Sequence, residues 1–132
     1  MDGSTLIPEL DHEFAGTRRA LERVPEDKFD WKPHEKSFSL HALAAHLAEI
    51  PRWVPVTLQM DDFDLDAPYE RVVPETKEEI LAHFDEGLAA ARSIIQACTG
   101  DQLAETWSMK QGGKVVMSMP KGAVLRIGRA HV

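Results

Sequence analysis

Histidine is the side chain with chemistry to offer in this sequence, because the usual nucleophile and phosphate signatures are missing. There is no Gly-x-Ser-x-Gly, no phosphate-cradling glycine loop and no His-Glu-x-x-His. His46 lies in Leu43-Ala44-Ala45-His46-Leu47-Ala48-Glu49, at the flank of an apolar stripe and among alanines small enough to leave room for a ligand or an ion. A neutral imidazole inside a helical bundle offers a directional lone pair with no charge to bury, which suits zinc, nickel or iron. The competing reading is a core histidine satisfied by a backbone carbonyl or by water. A metal site needs partners, and His131 is the only histidine of the last segment, which a bundle can bring beside the second. His46 and His131 are therefore the candidate ligands. His12 sits on the polar side of the first helix and reads as solvated. His83 borders an apolar stripe and reads as structural, while His34 and His41 read as surface residues.

Other reactive types carry less. The single cysteine, Cys98, excludes an internal disulfide and a thiolate cage, and its place on an apolar stripe reads as a buried, inert thiol. Asp61, Asp62, Asp64 and Asp66 lack the glycine and terminal glutamate of a calcium loop and read as a solvated loop. Trp53 falls one heptad after His46, on the same helical side, as part of the core or as a pocket wall.

Three long segments and a tail must position these residues. Leu6, Leu10, Phe14, Thr17, Leu21 and Val24 recur at steps of three and four, predicting a helix capped by Ser4 and ended by Pro25. The stretch from Pro25 to Phe38 reads as a loop whose aromatics, Trp31 included, fold back on the bundle. Ser39 caps a second helix carrying Leu40, Leu43, Ala44, Leu47, Val54 and Leu58, with a kink or break near Ile50 imposed by Pro51 and Pro55. An acidic, turn-rich run, Asp61 to Pro74, leads to the clearest helix, Glu75 to Cys98. Ile80, Phe84, Leu88, Ala91 and Ile95 line one of its faces, Thr76 or Glu75 starts it and Gly100 stops it. Gly112-Gly113 between Trp107-Ser108-Met109 and Val115-Val116-Met117 predicts a short hairpin or extended excursion, and Pro120 opens a last helix over Lys121 to Val132. The expected architecture is all-α: a four-helix bundle over residues 1–132, with a short or truncated last helix. Apolar surface left bare by that short helix would drive dimerisation or segment exchange.

Composition narrows the function classes. A length of 132 residues with 43% apolar and 28% charged content is one ordinary globular domain. The net charge of −7 gives no footprint for nucleic acid or an anionic membrane. No apolar run reaches the roughly 18 to 20 residues of a membrane span, and no basic n-region precedes one, so a cytoplasmic location is expected.

Beyond composition, two runs carry a resemblance: Leu21-Glu22-Arg23-Val24-Pro25-Glu26-Asp27-Lys28-Phe29-Asp30-Trp31-Lys32-Pro33, and Ala44-Ala45-His46-Leu47-Ala48-Glu49-Ile50-Pro51-Arg52-Trp53 after Lys36-Ser37-Phe38-Ser39-Leu40. Together with Lys121-Gly122-Ala123-Val124-Leu125-Arg126, they resemble the DinB-like superfamily. The resemblance implies an up-down-down-up four-helix bundle, usually dimeric. It also implies a divalent metal held by one histidine of helix two and a His-x-x-x-His pair of the last helix. Members include S-transferases and isomerases that use low-molecular-weight thiols, and others described as metal-dependent hydrolases. His46 matches the helix-two ligand position. The last-helix pair does not match, for this chain reads Ile127-Gly128-Arg129-Ala130-His131-Val132, so a third ligand would come from Glu49, His12 or a second subunit. Two functions follow: a metal-dependent transferase or hydrolase with His46 and His131 as ligands, or a metal-free module that dimerises or binds a small molecule.

Overall fold

The computed structural model describes residues 2–66 and 73–130. Its frame is two long helices, α1 (Gly3–Glu22) and α4 (Lys77–Gln96), whose buried faces meet. On α1 the buried residues are Leu6, Leu10, Phe14 and Leu21, and on α4 they are Ile80, Phe84, Ala91 and Ile95. The three- and four-residue steps put each set on one stripe, so burying the two stripes against each other removes most of their apolar area from water. Bidentate ion pairs, Arg18 with Asp85 and Arg92 with Asp11, hold the register from the solvent side. Being exposed, they contribute more to alignment than to stability.

The caps mostly follow the sequence. Ser39 Oγ accepts from the Ala42 N–H at 3.1 Å to start α2 (Leu40–Glu49), and Thr76 Oγ1 does the same for Glu79 at the head of α4. Helix α1 is capped by Asp2 rather than Ser4, its carboxylate accepting the Ser4 N–H at 3.0 Å. That moves the first turn onto Gly3, where the chain passes so close to the end of α4 that a Cβ would collide with Ile95 O. The second helix breaks at Pro51, where a 3-10 turn at Ile50–Arg52 separates α2 from α3 (Trp53–Gln59), and Pro55 is accommodated in the first turn of α3.

Several expectations are corrected. The loop aromatics do not all fold back: Trp31 and Phe38 are 57% and 72% exposed, and only Phe29 packs against the core. Leu43 points outward, because the buried side of α2 is the alanine face Ala44, Ala45 and Ala48. Gly100 does not stop the third long helix, which ends at Gln96. It opens a short helix, α5 (Gly100–Ala104), under a reciprocal Thr99–Gln102 capping box.

The helical expectation holds, but the chain is not all-α. The hairpin turns at Gly112 and Gly113, whose φ of +60° and +75° explain the glycine pair, and joins β2 (Thr106–Gln111) to β3 (Lys114–Pro120). A third strand, β1 (Asp62–Asp64), pairs parallel to β2, so the acidic run is not a free loop. Its carboxylates are occupied, Asp62 by Lys110, Asp61 by Lys121 and Asp66 by the Gly112 N–H.

Lys121 begins the last helix, α6 (Lys121–Ala130), and ties it to the sheet. Its ammonium is buried and donates to Asp61 at 3.0 Å, Glu105 at 3.1 Å and Leu58 O at 3.4 Å. A cation at a helix N-terminus opposes the helix dipole, and burial alone would depress its pKa. The hydrogen bonds and charges of Asp61 and Glu105 outweigh that burial and hold the pKa above its ordinary value. A raised folded pKa stabilises fully below the unfolded lysine value of about 10.4 and is lost as pH rises through the folded value. The urea midpoint of wild type should therefore exceed that of Lys121→Met by a constant margin at neutral pH, and the margin should shrink at strongly alkaline pH. A margin independent of pH would show that the clasp is not ionic.

Candidate functional site

Where the broken second helix, α1, α6 and the sheet converge, the packing leaves a cavity of about 330 Å³. Each wall follows from a local pattern. In β2, Trp107 and Met109 lie two residues apart and so share a face, and across the hairpin Met109 is opposite Met117. Phe63 of β1 pairs in register with Met109 and continues that face. The inner side of the sheet is thus aromatic and thioether, while Ser108 and Ser118 on the other face bond to each other at 2.7 Å. The helical walls come from Leu10 and Phe14 of α1, His46 of α2, Trp53, Val54 and Thr57 of α3, and Val124 and Leu125 of α6. Trp53 is a pocket wall, standing edge-on to Phe63 with ring centroids 5.0 Å apart. The break at Ile50–Arg52 lets α3 swing so that Trp53 and Thr57 reach the same space as His46.

His46 is half-buried in this wall, and among the described residues no carboxylate lines the cavity. The other candidates are elsewhere. Glu49 is buried between α2 and α4, where its carboxylate accepts from His83 Nε2 at 2.7 Å. His83 thus has the structural place expected of it. His12 is exposed on α1. His41 is not a surface residue: its Nε2–H donates to Pro74 O at 2.7 Å and its ring stacks on Phe29 at 4.8 Å. Cys98 is buried, and burial, then the charge of Glu105, push its thiol pKa up, away from reactivity. His131 lies outside the described residues.

These positions test the implied metal. A divalent ion wants three or more oxygen, nitrogen or sulfur donors around one point. Among the described residues no group of three His, Cys, Asp or Glu could hold one, and the cavity receives a single imidazole. The described donor set does not fit a metal on its own.

A family model described as the DinB superfamily matches residues 9–131. The chain belongs to the DinB superfamily. Comparison with curated proteins and with solved structures gives no match. In this DinB-superfamily chain no helix among the described residues is long and apolar enough to cross a membrane. Sequence reasoning reached His46 and Trp53 but missed Phe63, Trp107, Met109 and Met117. A signal for two of them was present, since the period-two spacing of Trp107 and Met109 puts them on one strand face. Nothing local marked Phe63, half-buried and set in an acidic run that becomes a strand only by pairing with β2.

Proposed function

We propose that this DinB-superfamily domain binds a neutral, largely apolar small molecule in the cavity between α1, the α2–α3 segment, α6 and the sheet, with His46 as a polar contact in the wall. The carrying observation is the cavity itself: about 330 Å³ lined almost wholly by apolar side chains, with one imidazole and one buried hydroxyl, Thr57, among them. Sites of this size and make-up take small ligands, the apolar walls supplying affinity and the few polar groups orientation. The helical segments α1, α2–α3, α4 and α6 are read, with the family, as an up-down-down-up bundle whose fourth side is shared between α6 and the sheet. Titration with 2-isopropenylnaphthalene, a compact apolar probe, followed by calorimetry should give saturable binding of one molecule per chain with a negative heat-capacity change. No binding up to the probe's solubility would contradict this reading.

The second reading is a metal-dependent S-transferase or hydrolase acting on a small molecule or a low-molecular-weight thiol. It is favoured by His46, which lies in the cavity wall at the position where the family resemblance puts its helix-two ligand. It requires donors beyond those described, from His131, which lies outside the described residues, or from a second subunit. Elemental mass spectrometry on protein purified without a histidine tag should then find near one equivalent of zinc, nickel or iron per chain in wild type and none in His46→Ala. Equal metal in both would remove His46 from the account. A homodimer belongs to either version, supported by the exposed apolar side chains Trp31, Phe38 and Leu43. Light scattering on the same preparation reads the subunit number, and a monomer at all concentrations would exclude it.

A further inference from the structure

Among the described residues that line the cavity, Trp107 alone has a buried polar atom left without a hydrogen-bond partner. It is 4% exposed, and its indole Nε1 is buried with no hydrogen-bond partner. An indole nitrogen is a donor only, so nothing but an acceptor satisfies it. Buried donors without partners are rare in folded proteins, because each forfeits the hydrogen bond it made to water. Its neighbours on the sheet offer no strong acceptor: the residue opposite on β3 is Met119, and two places along β2 stands Met109, itself opposite Met117. Their thioether sulfurs are weak acceptors on flexible, unbranched side chains.

Those thioethers give the site a second property. Met109 and Met117 can shift to let a guest approach the indole edge, which a wall of β-branched residues would resist. Beside the aliphatic side chains of α1, α3 and α6, the cavity wall presents the rings of Phe14, Trp53 and Phe63. Aromatic rings and thioether sulfurs both favour an aromatic guest beyond simple area burial. Among the described residues no acidic, lysine or arginine side chain lines the space, so a charged guest would lose its hydration without compensation.

We propose that the cavity is specific for a neutral, flat aromatic molecule carrying a hydrogen-bond acceptor, such as an aryl ketone, and that this acceptor takes the Trp107 Nε1–H. The proposal rests on the reading of the cavity as a binding site and adds the chemical class of its occupant. A guest of equal volume without an acceptor fills the space and leaves the indole donor unmet. The aryl carbonyl fills it and satisfies the donor.

The test compares two near-isosteric probes on the full chain: 2-acetylnaphthalene, which carries a carbonyl oxygen, and 2-isopropenylnaphthalene, which has a methylene in its place. Each is titrated into wild type and Trp107→Phe. A neutral hydrogen bond of ordinary net strength makes the ketone-to-alkene affinity ratio about fivefold larger in wild type than in the variant. The indole proton of Trp107 in wild type should also move downfield with the ketone and not with the alkene, a readout that stands even where Trp107→Phe fails to fold. An affinity ratio unchanged by the substitution, or an indole proton that responds alike to both probes, would overturn the proposal while leaving the cavity a binding site. Binding of neither probe would overturn both.

Discussion

Replacing Phe84 by Ala is expected to cost about 3 to 5 kcal/mol of folding stability, the range for truncating a fully buried aromatic ring. Phe84 is 0% exposed at the centre of α4 and meets Phe14 edge-to-face, ring centroids 5.9 Å apart. The loss combines the transfer of the ring's apolar area with the void left behind, because helices held by Leu6, Leu10, Ile80 and Ile95 cannot close fully over it. Against a total of about 5 to 15 kcal/mol for a domain, that is close to unfolding. Urea denaturation measures it as a lower midpoint at unchanged slope. Phe14 also walls the cavity, so the variant should bind a cavity probe more weakly as that ring relaxes toward the void. A loss under about 1 kcal/mol would mean that the α1–α4 contact is not the main core.

Val124→Trp should have the opposite profile, with little change in stability and a large loss of binding. Val124 is half-buried on α6 and lines the cavity. An indole in its place enters existing space rather than a packed core, so the usual overpacking cost of about 1 to 3 kcal/mol should be largely avoided. Guest and indole then compete for the same volume. Overlap worth about 3 kcal/mol lowers probe affinity roughly a hundredfold. Calorimetric titration of 2-isopropenylnaphthalene into both proteins reads the ratio. Unaltered affinity in a folded Val124→Trp would put the bound probe elsewhere.

The frame was legible because its signals are local. The α1 and α4 stripes follow helical steps, Ser39 and Thr76 cap through their own neighbours, and Pro51 breaks the second helix while Pro55 falls in the first turn of α3. What escaped depends on contacts distant in sequence. Asp62–Asp64 reads as an acidic turn and becomes a strand because β2 offers a free edge and Lys110 an ammonium, 48 positions away. Leu43 fits the apolar period yet faces outward, since the small alanines beside it are what allow α2 to approach α4. His41 carries no sequence mark of burial, and its partners are Pro74 and Phe29, from two other segments. The cavity was least legible of all. It exists only where a broken helix, a hairpin and α6 fail to fill the space between them, although His46 and Trp53 on its wall were visible as a same-face pair.

The central claim is that the space between the helices and the inner face of the sheet is where a small molecule binds. The most direct measurement is a set of intermolecular nuclear Overhauser effects between 2-isopropenylnaphthalene and protein carrying labelled methionine and valine methyl groups. Cross-peaks are expected from the naphthalene ring to the methyls of Met109, Met117 and Val124, all of which line the cavity. Cross-peaks confined to Val115, Val116 or Met60, which are exposed on the surface, would contradict it.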